Sequence, residues 1–144
     1  MAETATLPPR VSLRVWRLSD PGAEPLFESR GKWLHPLFEL TEFLESHPEI
    51  DPKDLILRDR IVGRAAAFLI LRLGIRNVGS DIVSRRALSL FSSRGLSPTA
   101  GITVDRIDCK TEDLLAEVED FDQAWRLLSE RRAGARKTLQ RSGS

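Results

Sequence analysis

An apolar block in the middle of the chain most constrains what it can fold into. Residues 61–73 contain no proline and are apolar on almost every face except at Arg64 and Arg72, so a helix here must be largely enclosed. Just before it, Leu55, Ile56 and Leu57 follow in unbroken succession, as in a strand covered on both faces. Gly74 ends the helix, and residues 75–79 read as a second short strand. Strand, enclosed helix and strand make a βαβ unit, which requires a parallel sheet and a right-handed crossover.

The flanks extend this unit. Val11, Leu13 and Val15 alternate with Ser12, Arg14 and Trp16 at the period of a half-buried strand. Ser19, Asp20, Pro21 and Gly22 make a turn, and residues 24–30, with Leu26 and Phe27, return as an antiparallel partner. Over residues 34–47, Leu37, Leu40, Phe43 and Leu44 recur at helical spacing, with Pro36 in a first turn that tolerates it. After the second central strand, Asp81 is placed to cap a helix over 82–94, with Gly95 as its stop. Ile102 and Val104 mark a last strand over 98–104, and Asp120 opens a helix with Phe121, Ala124, Trp125 and Leu128 on one stripe. The order β-β-α-β-α-β-α-β-α predicts an α/β fold, a β-hairpin followed by parallel βαβ units with helices on both faces. In a doubly wound sheet the binding site lies at the carboxyl ends of the central strands, here residues 58–64 and 79–84. Residues 1–10 read as a flexible leader, 11–130 as a single domain and 131–144 as a basic flexible tail.

Composition narrows the function classes. With 144 residues, 41% of them hydrophobic, the chain supports one core. A net charge of +1 argues against a general polyanion binder, and no aromatic residues interleave with the basic residues of the tail, so nucleic acid is not the expected partner. A single cysteine forms no internal disulfide, which makes a cytoplasmic location the expectation. The longest apolar run, residues 65–71, is far short of the roughly 20 residues that span a bilayer, so no membrane is expected.

The stretch LRDRIVGRAAAFLILRLGIRNVGSDIVSRRALSLFSSRGL, with the later DCKTEDLL, resembles domain-of-unknown-function family 1893, which is grouped with the cytidine deaminase-like superfamily. Asp59, Val62, Gly63, Arg64, Ala65 and Ala66 match that family's Asp before a Val-Gly-basic-Ala-Ala helix start. Cys109 and Glu112 match its Cys-Pro-x-Glu element, with Lys110 in place of the proline. The resemblance implies a cytidine deaminase-like three-layer αβα sandwich and a shared site region, but no settled activity. Whether the protein is an enzyme stays open.

Zinc deaminases need a His or Cys with a nearby Glu at one helix start and a Pro-Cys-x-x-Cys at the next. Here the first position reads Val62, Gly63, Arg64, Ala65, Ala66 and the second Ser80 through Arg85, neither with a thiolate or imidazole. His35 and His47 lie twelve residues apart, roughly 18 Å along a helix, and do not replace these ligands. The sequence therefore implies no metal and no cofactor.

The same positions suit an anion. Arg58, Arg60 and Arg64 fall around a helix start whose free N–H groups and dipole favour negative charge. The candidate ligand-binding residues are Asp59, Arg60, Gly63, Arg64, Ser80 and Ser84, and the ligand a small anionic or nucleotide-like molecule. The plainer alternative makes Asp59 a helix cap paired with an arginine, and the two serines caps as well. Cys109 with Glu112 is a weak candidate catalytic pair, since no histidine base accompanies it. A second reading is a non-catalytic interaction module, a homo-oligomer among its forms, assembling through the hairpin face bearing Trp16 or through the last helix.

Overall fold

The computed structural model describes residues 7–20, 22–105, 107 and 121–142. The chain runs β1 (Leu13–Arg17), β2 (Phe27–Ser29), α1 (His35–Ser46), a single turn of 3₁₀ helix (Pro52–Asp54), β3 (Leu55–Val62), α2 (Arg64–Leu73), β4 (Asn77–Ser84), α3 (Arg85–Ser93), β5 (Thr99–Val104) and α4 (Phe121–Ser142). The sheet order is β2-β1-β3-β4-β5. β1 pairs antiparallel with both β2 and β3, whereas β3, β4 and β5 are parallel. The fold is thus α/β on a mixed five-stranded sheet, with four α-helices among the described residues.

Because β3, β4 and β5 step across the sheet in one direction, right-handed crossovers place α2 and α3 on the same face. α2 also packs against α1 and α4, so all four helices share one core with that face of the sheet. Ala65, Ala66 and Ala67 let α2 lie close to the strands, while Phe68, Leu69 and Ile70 fill the space between layers. Phe38, Phe68 and Phe91 are fully buried there, each contributing about 1.5–3 kcal/mol of burial. The sequence implied helices on both faces. Among the described residues the second face carries no helix, only a small cluster of Leu7, Val11, Trp16 and Ile56 flanked by Leu18.

That second face also holds the charges. Arg58 reaches Asp81 at 2.5 Å, and Arg60 approaches the same carboxylate at 3.5 Å. Arg58 lies opposite Gly79, where a Cβ would come within 2.9 Å of the Thr99 hydroxyl and 3.8 Å of the Arg58 guanidinium. Arg60 also donates to the carbonyl oxygens of Pro8 and Val11, at 2.7 and 2.8 Å. The segment from Leu7 to Val11 is therefore tied across the sheet, and Leu7 and Val11 are buried, whereas the sequence suggested a loose leader throughout residues 1–10. At the other end, α4 continues to Ser142, through the stretch expected to be a flexible tail.

Arg60→Ala removes both carbonyl contacts and is expected to release this strap, since each charged hydrogen bond contributes about 1.5–3 kcal/mol. Limited trypsinolysis after Arg10 should accelerate by about tenfold or more. An unchanged cleavage rate would show that burial of Leu7 and Val11 holds the strap without Arg60.

Candidate functional site

Both central strands run further than the sequence suggested, and this relocates most of the expected site. β3 continues through Val62 and β4 through Ser84, so α2 begins at Arg64 and α3 at Arg85. Arg58, Asp59 and Arg60 are strand residues, not members of a helix's first turn. Arg60 faces the strap and Asp81, away from the helices. Asp81 is likewise a strand residue, and the cap it was expected to provide comes from Ser84 instead. The Ser84 hydroxyl accepts the Ala87 N–H at 3.0 Å and is fully buried.

Asp59 and Ser80, buried polar residues like Ser84, are register partners on β3 and β4. Ser80 is buried, and its hydroxyl donates to the Ile82 carbonyl oxygen at 2.6 Å. Asp59 is only 8% exposed. Burial pushes its carboxyl up to about 7, although the backbone N–H groups of Ile61 and Arg60 favour the ionised form, and the charge of Asp81 adds to the rise. Asp59 does not cap α2. The residue at that cap is Gly63, which offers no side chain and whose carbonyl accepts the Ala67 N–H at 3.0 Å.

Arg64, the first residue of α2, turns along its own helix, with its guanidinium 5.1 Å from the centre of the Phe68 ring. From there it lines a groove of about 370 Å³ with Ser89, Leu90, Ser93 and Arg94 of α3 and its C-terminal cap. Of the residues proposed from sequence for ligand binding, Arg64 is the one that lines this groove; Asp59, Arg60, Gly63, Ser80 and Ser84 do not. Two arginines and two serines line the groove beside Leu90; the Ser93 hydroxyl donates to the Leu90 carbonyl oxygen at 2.6 Å, so the donors that suit phosphate or carboxylate oxygens are Arg64, Arg94 and Ser89.

The family model described as a domain of unknown function, DUF1893, matches residues 22–131. The chain belongs to the DUF1893 family. A solved structure of a DUF1893 family protein from Thermotoga maritima, TM1506, is similar to it with a TM-score of 0.72 at 22% identity, covering 84% of this chain and 80% of that one. At that identity the likeness speaks for the fold alone. No curated protein matches the chain.

In this DUF1893 chain, sequence reasoning missed Ser89, Ser93, Arg94 and the role of Asp81. Ser89 and Ser93 stand four residues apart on α3, a spacing that puts both on one face, but only the neighbouring position of Arg64 makes that face a groove. Cys109 and Glu112, the candidate catalytic pair, lie outside the described residues. Among the described residues no group of three or more His, Cys, Asp or Glu is placed to hold a metal ion, and no helix is long and apolar enough to cross a membrane.

Proposed function

We propose that this DUF1893 chain binds a small anionic, nucleotide-like ligand in the groove between α2 and α3. The observation that carries this reading is the convergence of Arg64, Arg94 and Ser89 around one concavity. Its volume falls within the range of small-molecule sites, about 300–1,000 Å³, enough for a mononucleotide. Arg64 gives the groove directionality. Its guanidinium rests 5.1 Å from the centre of the Phe68 ring, so less side-chain freedom is lost when an anion engages it. Both arginines have other interactions in the folded chain, and an anion would share or displace these. The reading keeps the ligand class suggested by the sequence and moves its seat from the two helix starts to the flank of α3.

We also read the architecture as cytidine deaminase-like, on the support of an opening antiparallel hairpin followed by parallel βαβ units. The deaminase zinc ligands are missing from the sequence at both helix starts, so this kinship concerns scaffold and not reaction.

Thermal melting of the full chain with inorganic phosphate, a sugar phosphate, and nucleoside mono- and triphosphates tests the proposal. At least one phosphorylated compound should raise the melting temperature in a saturable way. Arg64→Ala and Arg94→Ala should each weaken that binding by about tenfold or more, as expected for loss of a charge-assisted hydrogen bond. Binding that survives both substitutions, or no shift across the panel, would reject the groove as the site.

A further inference from the structure

The two edges of the sheet are built differently. β2 has three residues, and its exposed Glu28 is paired with Arg14 at 2.7 Å and flanked by Arg30. A short, charged edge of this kind resists pairing with another chain. β5, the opposite edge, has six residues, Thr99 through Val104, with neither a charge nor a proline among them. Five of the six are exposed, Ile102 to 61%. Among the described residues, β5 pairs only with β4.

The exposed apolar surface leads to this edge. Ile61, Ile82 and Ile102 are register partners across β3, β4 and β5, and Ile61 and Ile102 are both exposed. The row comes about because the pairing passes over Arg60, Asp81 and Gly101. At Gly101 a Cβ would lie 2.9 Å from the Asp81 carbonyl oxygen, so the strands approach too closely there for a side chain.

We propose that β5 is a dimerisation edge, on which a second copy of this chain pairs its own β5 antiparallel about a two-fold axis, joining two five-stranded sheets into one. The absence of charge selects this occupant, and symmetry selects the direction. In a two-fold pairing, residues near the axis face their own counterparts, so a charge there would meet its like; β5 has none. A two-fold axis perpendicular to the sheet makes the two strands antiparallel and keeps the isoleucines of both copies on one face, whereas an axis along the strand makes them parallel and turns the partner's row to the opposite face. Asp105, directly after Val104, is paired within its own chain with Arg85 at 2.8 Å. The row of isoleucines then runs on into the partner across the joined sheet. This inference is independent of the groove between α2 and α3.

The test is sedimentation velocity of the full chain over a wide concentration range, with far-UV circular dichroism of each variant as the fold control. A six-residue edge is a small interface, below about 1,200 Å² in total, so the expected result is a concentration-dependent shift from monomer to dimer. Ile102→Lys and Ala100→Lys, each at an exposed position, should abolish the dimer and leave the circular dichroism spectrum unchanged. A wild-type chain that stays monomeric throughout, or a dimer that tolerates both lysine substitutions with the fold intact, overturns the proposal.

Discussion

Asp59→Asn is expected to stabilise the protein at pH 8 by about 1–3 kcal/mol and to remove most of its pH dependence between pH 4 and 7. The reason lies in where the carboxyl sits, beside Ser80 beneath the helical layer and only 8% exposed. Burial raises the carboxyl from its ordinary 3.8 to about 7 in the folded chain. Below about pH 4 both folded and unfolded chains hold the proton, and the group does not affect stability. Between about 4 and 7 the folded chain keeps a proton that the unfolded chain has released, so stability falls as pH rises, by up to about 4 kcal/mol in total. Above about 7 the loss is complete. Asparagine mimics the protonated acid, still accepts the N–H groups of Arg60 and Ile61, and never ionises. Urea unfolding of both proteins at pH 5 and pH 8 separates this effect from every other pH-dependent contribution, which the two proteins share. Parallel pH profiles would show that Asp59 ionises freely in the folded state.

Phe68→Ala should cost about 3–5 kcal/mol, a large part of the 5–15 kcal/mol that holds a typical domain together. The ring is 1% exposed and packed within the core that all four helices share, so its removal leaves a cavity with little freedom to collapse. It is also the platform under Arg64. Phe68→Leu separates the two roles, because it restores most of the packing but not the ring. The leucine variant should lose no more than about 1.5 kcal/mol of stability in guanidinium unfolding. It should nonetheless bind anions less well than wild type, because Arg64 is no longer held in place. If Phe68→Ala costs less than about 1 kcal/mol, the core relaxes around the gap and the ring is not a keystone.

The parts of the fold legible in the sequence are those governed by short-range periodicity. The run Leu55, Ile56, Leu57 and the apolar stretch that follows predict β3 and α2, and Gly74, at φ +86°, ends the helix where its residue type suggests. The strand ends were less legible. Arg58, Asp59 and Arg60 look like the close of a buried strand because three charges rarely fit inside one. They fit here because Asp81, 21 to 23 residues away, stands on the neighbouring strand to meet two of them. No local pattern encodes that pairing. Asp81 and Ser84 carry the same capping signal, and the structure gives the cap to the one next to the helix. The groove was beyond sequence reading for a similar reason, since Arg64 and Arg94 become neighbours only when α2 and α3 lie side by side. Arg64 lines that concavity from the start of α2, where the residue type alone does not say which way the side chain turns.

The placement of α2 bears on how the molecule comes apart. α2 touches the sheet, α1, α3 and α4, and these elements draw on one continuous core, while the cluster beneath the strap has only a handful of side chains. Lifting any helix off the sheet therefore uncovers a side of α2, and no remaining part retains a core large enough to stand alone. The described residues are expected to unfold as one cooperative unit centred on that helix.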